Sequence, residues 1–173
     1  LLVGDSLGMV IKGQRNTLKV SMDEVIYHTK AVVRGSNEAH IVGDMPFMSY
    51  QQGSNKAIKH AGKLIKAGAQ SVKLEGGINV AELVHTMVGF GIPVMGHVGL
   101  QPQSENILGG YVIQGKSASN QEKVCADALA LQEAGAYALV VEGVTNALSL
   151  KLKDIITIPI IGIGAGPNCD GQV

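Results

Sequence analysis

The most constraining feature of this chain is a strict alternation: strand-length apolar runs are separated by segments of helical period, and the pattern extends along all 173 residues. The runs occupy residues 1–3, 39–42, 71–74, 93–95, 138–141 and 158–163, each too short for a helix and the right length for a buried strand. Between them, residues 23–34 place Val25, Ile26, Thr29, Val32 and Val33 on one helical face, with Ser21 and Glu24 forming an S-x-x-E capping box in front. A second helix is expected over 55–67, with Ala57, Ile58, Ala61, Leu64 and Ile65 inward. A third starts at Asn79 and buries Leu83, Val84, Met87 and Val88, and a fourth spans 122–134. Two near-identical joints, Lys66-Ala67-Gly68-Ala69 and Glu133-Ala134-Gly135-Ala136, put a glycine where a left-handed residue would stop the helix, which suggests a repeated βα unit.

Such alternation implies parallel strands covered by helices, either a closed (β/α)8 TIM-type barrel or an open doubly wound sheet. The core must come from Val, Ile, Leu and Ala, because aromatic residues make up only 3% of the chain and there is no Trp. A full barrel takes about 250 residues. The barrel reading therefore expects residues 1–173 to be one barrel domain incomplete at both ends, lacking a unit before Leu1 and at least one after Val173. The open sheet requires no further pieces.

Charge narrows the choice of partner. Fourteen basic residues balance fourteen acidic ones, so no field exists to draw the chain onto nucleic acid or an anionic membrane, and a small, locally recognised ligand is expected instead. Cys125 and Cys169 stand far apart and outside any CxxC spacing. That argues against a disulfide framework or thiolate metal site and for a reducing cytoplasm. The apolar stretch 155–163 is interrupted by Thr157, Pro159 and Gly162 and falls short of the roughly 20 residues of a membrane span.

In parallel α/β folds ligands bind at the carboxyl ends of the strands. The residues following the apolar runs are Asp5 and Ser6, Asp44, Lys73 and Glu75, His97, Glu142, and the glycines Gly162, Gly164 and Gly166. Chemistry at every strand end favours the barrel, since in an open sheet only strands beside the switch point share a site. Asp5, Asp44 and Glu75 are hard oxygen donors, and converging carboxylates without a cation would repel, so Mg²⁺ is expected with them. Lys73 can pair with a substrate carboxylate or oxo group. His97 is either a site residue or a hydrogen-bonded core residue. Glu142 ends an apolar run that would desolvate it, as suits a general acid or base. The Gly162–Gly166 stretch fails the dinucleotide spacing because position 167 is Pro167, and reads as a tight turn or a close-packing point.

Six strings in order, Val3-Gly4-Asp5-Ser6-Leu7-Gly8, Gly43-Asp44-Met45-Pro46-Phe47, Val72-Lys73-Leu74-Glu75-Gly76-Gly77, Gly96-His97-Val98-Gly99-Leu100 with Pro102-Gln103, Leu108-Gly109-Gly110-Tyr111, and Ile161-Gly162-Ile163-Gly164-Ala165-Gly166, resemble the signature segments of the ketopantoate hydroxymethyltransferase family. The resemblance covers essentially the whole chain. It implies a (β/α)8 barrel, a decameric homo-oligomer, Mg²⁺, 5,10-methylenetetrahydrofolate as one-carbon donor and a branched 2-oxo acid as acceptor. It further implies that Asp5, Asp44 and Glu75 are metal-site acids, that Asp5, Ser6, Asp44 and Lys73 contact the 2-oxo acid, that His97 lies in the active site, and that Glu142 is the catalytic base. Two departures stand out: Gln101 where the family commonly has Thr, and a short segment over 116–122. The alternatives are a Mg²⁺/2-oxo acid barrel of the phosphoenolpyruvate mutase and isocitrate lyase type, which would not depend on folate, and a non-catalytic module holding a phosphorylated metabolite at Gly164.

Overall fold

A computed structural model describes all residues, 1–173. The chain divides into two compact units, Leu1–Leu74 with Phe90–Pro93, and Glu75–Gly89 with Val94–Val173.

The first unit contains β1 (Leu2–Val3), α1 (Leu7–Val10), α2 (Met22–Gly35), β2 (Val42–Asp44), α3 (Ser54–Lys66) and β3 (Ser71–Lys73). The three strands pair in parallel in chain order, with Val3 opposite Gly43 and Asp44 opposite Lys73. Helix α2 packs on β1, β2 and α3, and α3 packs on β3. Val25 and Thr29 of the expected α2 face are buried, while Ile26, Val32 and Val33 are half-covered. Ala57, Ala61 and Leu64 of α3 have no exposed surface. Because Gly43 faces α3, a methyl group added there would lie 3.2 Å from a Leu64 methyl, so this strand position sets how closely the helix approaches.

The capping box at α2 is complete: the Ser21 hydroxyl accepts from Glu24 N–H, and Glu24 accepts from Ser21 N–H at 2.8 Å. An ion pair from Lys12, followed by the Ser21 backbone bond, holds the Glu24 carboxyl down at about 2. The folded-state value lies below the unfolded carboxylate's, about 4.3. The stabilisation is therefore complete above about pH 4.3 and lost as pH falls through about 2. Ser21→Ala should cost about 1 kcal/mol at neutral pH, read as a shift in the urea midpoint with an unchanged m-value. No shift would mean that the box contributes nothing to this helix.

The second unit contains α4 (Ile78–Gly89), β4 (Val94–Gly99), a 3₁₀ turn (Pro102–Ser104), α5 (Glu105–Leu108), α6 (Ala118–Glu133), β5 (Ala138–Glu142), α7 (Asn146–Ile155), β6 (Ile160–Ile163) and β7 (Gly171–Gln172). Its strands also pair in parallel in chain order. Helix α6 packs against α4, α7 and β4, and Met87, Val84, Leu131, Leu139, Val141, Leu148 and Leu152 form an apolar interior with no exposed surface.

Both expected glycine stops close in the same way. After α3, Gly68 has φ +104° and Ala69 N–H reaches Leu64 O, and after α6, Gly135 has φ +97° and Ala136 N–H reaches Leu131 O. These are Schellman closures, in which the left-handed glycine turns the chain back over the last helical turn. They place Ala69 and Ala136 in the interior just ahead of β3 and β5. No helix is long and apolar enough to cross a membrane, and both cysteines are free thiols, that of Cys125 pushed up by burial.

Boundaries differ from the periodicity in instructive places. The run at 39–42 is the entry to β2 rather than β2 itself, because the ladder continues to Asp44 while Ala39 and His40 remain exposed. The third helix begins at Ile78, one residue before Asn79, whose side chain accepts from Gly77 N–H at 2.9 Å. The fourth begins at Ala118 because Ser117 caps it, its hydroxyl accepting from Asn120 N–H at 3.2 Å. Helices α1, α5 and α7 and strand β7 are additions to the predicted set.

Candidate active site

The strand ends carry the chemistry, as expected, in one cluster within each unit. In the first unit, cross-strand register builds an ion pair. Asp44 and Lys73 are the last residues of β2 and β3 and direct partners in the ladder, so their side chains leave the sheet on the same side. Lys73 Nζ lies 2.8 Å from Asp44 Oδ1, with both side chains almost wholly buried at 4% and 2% exposure. The other carboxylate oxygen accepts from Asp5 N–H at 3.1 Å. Gly4 stands between β1 and Asp5, and a β-carbon there would approach Asp44 Oδ2 to 3.6 Å and Ser6 Oγ to 3.3 Å. Asp5 is itself buried, whereas Ser6 is exposed at the start of α1. Burying a carboxylate is unfavourable unless it is paired and hydrogen-bonded, and Asp44 has both partners.

In the second unit, Glu75, His97 and Glu142 come together. Glu142 is the ladder partner of Gly99, and His97 lies two residues before Gly99 on β4. With a side-chain period of 2, His97 and Glu142 share a face. Gly99 lets β4 approach the backbone of β5 there: at φ +91° a β-carbon would meet the Glu142 carbonyl oxygen at 2.4 Å. The imidazole Nε2 lies 3.4 Å from Glu142 Oε2, and Nδ1 lies 3.8 Å from Glu75 Oε1. Glu75 Oε2 accepts from the Gln103 N–H at 3.0 Å. His97 and Glu75 are buried, but the Glu142 side chain keeps 20% of its surface exposed. Within this trio Glu142 is thus the carboxylate that can meet a ligand from solvent. His97, for which a core role was equally open, is buried and touches both carboxylates.

Gln103 is a contact that the sequence reading did not single out. It enters through its backbone, held by the 3₁₀ turn after β4 with Pro102 at its start, and backbone donors leave little trace in residue type. The glycine run is resolved as a turn with close packing. Gly164 and Gly166 have φ +57° and +77°, and a β-carbon at Gly166 would lie 2.1 Å from Asn146 Oδ1.

No group of three or more His, Cys, Asp or Glu side chains is assembled as a ready-made metal site. That arrangement is compatible with Mg²⁺, which is usually held by one or two carboxylates, with water and substrate oxygens completing the shell. Asp5 and Asp44 in the first unit and Glu75 in the second each carry a carboxylate, the donor type that such an ion takes, and an oxygen already accepting one hydrogen bond keeps a second lone pair.

Parallel βα units with polar strand ends define an α/β fold of the class that carries sites at the carboxyl edge of its strands. Solved structures of that class superimpose well. A putative phosphonomutase from Burkholderia cenocepacia aligns with TM-score 0.72 at 16% identity, covering 94% of this chain and 67% of that one. 2,3-Dimethylmalate lyase, a member of the PEP mutase/isocitrate lyase superfamily, aligns with TM-score 0.68 at 15% identity, covering 92% and 56%. At these identities the likeness concerns the fold alone. The family model for ketopantoate hydroxymethyltransferase matches residues 1–173, and the chain belongs to that family. It is 57% identical to the 3-methyl-2-oxobutanoate hydroxymethyltransferase of Carboxydothermus hydrogenoformans and 52% identical to that of Geobacter metallireducens, in both cases over the whole of this chain. It spans 63% and 65% of the length of those relatives.

Proposed function

We propose that the full-length protein transfers a hydroxymethyl group from 5,10-methylenetetrahydrofolate to 3-methyl-2-oxobutanoate, giving ketopantoate, in a Mg²⁺-dependent reaction. On this reading residues 1–173 belong to a single closed (β/α)8 barrel domain, and the protein works in the cytoplasm as a homo-oligomer with small-molecule partners only. Family membership and the names of the relatives support the substrates. The observation that carries the mechanism is the partly exposed Glu142 carboxylate beside buried His97.

Asp5, Asp44 and Glu75 would hold Mg²⁺. Bound there, the ion would withdraw electron density from the substrate's oxo group and make the C3 hydrogen acidic. Lys73 and Ser6 orient the 2-oxo acid through its carboxylate and oxo oxygens, so that C3–H faces the base. Glu142 takes the C3 proton. The electron pair left at C3 forms the new carbon–carbon bond to the folate-borne methylene carbon, water supplies the hydroxyl, and tetrahydrofolate leaves. His97, touching Glu142 on one side and Glu75 on the other, fixes the orientation of both carboxylates.

The direct test is ketopantoate formation by full-length protein, before and after removal of divalent ions with EDTA, and with Asp44→Ala. Turnover that disappears on chelation, returns with Mg²⁺ and is absent in Asp44→Ala is expected. Folate-independent processing of an unbranched 2-oxo acid would move the protein to the mutase and lyase chemistry of its structural neighbours.

A further inference from the structure

Directly after Glu142 the chain meets a polar clamp that the proposed chemistry does not itself use. Gly143 turns the chain at φ +55°, and three backbone bonds fix the two residues: Leu100 N–H to Glu142 O at 2.7 Å, Gly143 N–H to Ile163 O at 2.7 Å, and Gln114 N–H to Gly143 O at 2.8 Å. The first two belong to the neighbouring strand ends. The third comes from the loop that follows α5, where Gln114 forms an isolated parallel bridge with Val144 and returns its carbonyl to Thr145 N–H at 3.1 Å.

Besides these Gln114 backbone bonds, polar side chains hold the loop. Tyr111, Val112 and Ile113, immediately ahead of Gln114, are exposed, so apolar burial does not anchor the segment. Asn120, in the first turn of α6, does. Its Oδ1 accepts from Gly115 N–H, and its Nδ2 donates to Gln114 Oε1 at 3.1 Å. The Gly115 carbonyl accepts from Gln121 Nε2 at 2.8 Å and from Thr145 Oγ1 at 3.2 Å. Gly115 must be glycine: its φ is +83°, and a β-carbon would come within 2.6 Å of Leu148. The loop is therefore tied to α6 through the Asn120 and Gln121 side chains, and to the residues after Glu142 through the Thr145 hydroxyl and the Gln114 backbone.

We propose that Asn120, acting through Gln114 and Gly143, is a positioning residue for Glu142, holding the end of β5 so that the carboxylate meets the substrate C3–H in a fixed place. The inference rests on Glu142 being the base. Misplacement of a reacting group by about 1 Å can cost about a hundredfold in rate, and Asn120 supplies two of the bonds that hold Gln114 and Gly115 against the end of β5.

The test uses full-length Asn120→Ala and Asn120→Asp with 3-methyl-2-oxobutanoate carrying hydrogen or deuterium at C3, together with exchange of the C3 hydrogen in D₂O without folate. Asn120→Ala should lower kcat and C3 exchange by about 10- to 100-fold, leave the oxo-acid KM within about twofold, and raise the deuterium isotope effect as proton removal becomes slower. Asn120→Asp retains the acceptor for Gly115 N–H and should recover most of the rate. Unchanged exchange in Asn120→Ala overturns the proposal. So does a loss that follows the folded fraction measured by circular dichroism, with an unaltered isotope effect. Should Asn120→Ala fail to fold, an Asn120→Asp variant no faster in exchange than Glu142→Gln also overturns it. Glu142→Gln separates the two readings: if its C3 exchange is normal, the base assignment has failed, whereas if exchange is abolished there and normal in Asn120→Ala, only the positioning role has failed.

Discussion

Glu142→Gln in the full-length protein is expected to reduce kcat for ketopantoate formation by about 10²- to 10⁴-fold, the range for removal of a positioned general base. The change keeps size and shape, so the contact with His97 Nε2, 3.4 Å in the native chain, can persist. What disappears is the ability to accept a proton. The oxo acid is held by other groups, so its KM should change little, and a fall in kcat and kcat/KM by the same factor is the mark of an interaction that matters only in the transition state. Release of the C3 hydrogen of 3-methyl-2-oxobutanoate to D₂O isolates this step from folate chemistry, and that exchange should fall by the same factor. Near-normal exchange would locate the base elsewhere, with Lys73 the next group to test.

The positions of the chemistry were legible in the sequence because parallel α/β folds convert it into a one-dimensional pattern. Asp44 and Glu142 lie just past apolar runs and Lys73 near the end of one, and each is the final residue of its strand. Pairing is less legible. Nothing in the string shows that Asp44 is opposite Lys73 rather than one residue out of register, and a slip of one would send the ammonium to the other face. The shift of β2 toward Asp44 has a related cause, since hydrogen-bond ladders continue past the end of an apolar run wherever the next strand offers backbone partners. Helix α7 escaped because its segment, Asn-Ala-Leu-Ser-Leu-Lys-Leu-Lys-Asp-Ile, alternates with a period near two and resembles a strand. In the structure Thr145 caps it, and Leu148, Ser149 and Leu152 are its buried residues. Strand β7 is only Gly-Gln and has no composition to betray it. It is fixed instead by Asp170, which accepts from Ile160 N–H at 2.9 Å and pairs with Lys153.

The same distinction applies to the roles. A carboxylate at a strand end announces itself, but the groups that aim it are backbone donors and amides in loops. Gln103 N–H on Glu75 and Gln114 N–H on Gly143 illustrate this. Asn120 lies in a polar stretch, Ser117–Gln121, that in sequence reads as part of a short loop ahead of the helix expected over 122–134. Half of its function there is that of a first-turn residue, its N–H donating to the Ser117 hydroxyl that caps the helix. The other half, the bonds of its side chain to Gly115 and Gln114, depends on a loop folding back that no local pattern predicts.

The largest stability effect is expected from Lys73→Met. Native Lys73 and Asp44 neutralise one another with almost no contact with water. Removing the ammonium leaves a buried carboxylate that still accepts from the Asp5 N–H, at 3.1 Å, but has lost its counter-charge. Breaking one side of a buried pair costs about 3–5 kcal/mol, which for a chain of this size corresponds to a fall in Tm of roughly 10 °C. The compensating change is Asp44→Asn in the same chain. The amide oxygen can still accept from Asp5 N–H, and no charge remains buried, so the double variant should regain much of the lost stability even though it should be inactive. A recovery of this kind is a coupling energy between the two positions and distinguishes an uncompensated charge from lost packing of the lysine stem. Thermal melts of the two single variants and the double variant decide the matter. If Lys73→Met melts within about 1 °C of the native protein, water reaches Asp44 freely and the pair is not the closed structural element described above. If the double variant falls by the sum of the singles, the two side chains are independent, and the 2.8 Å contact carries no energy of its own.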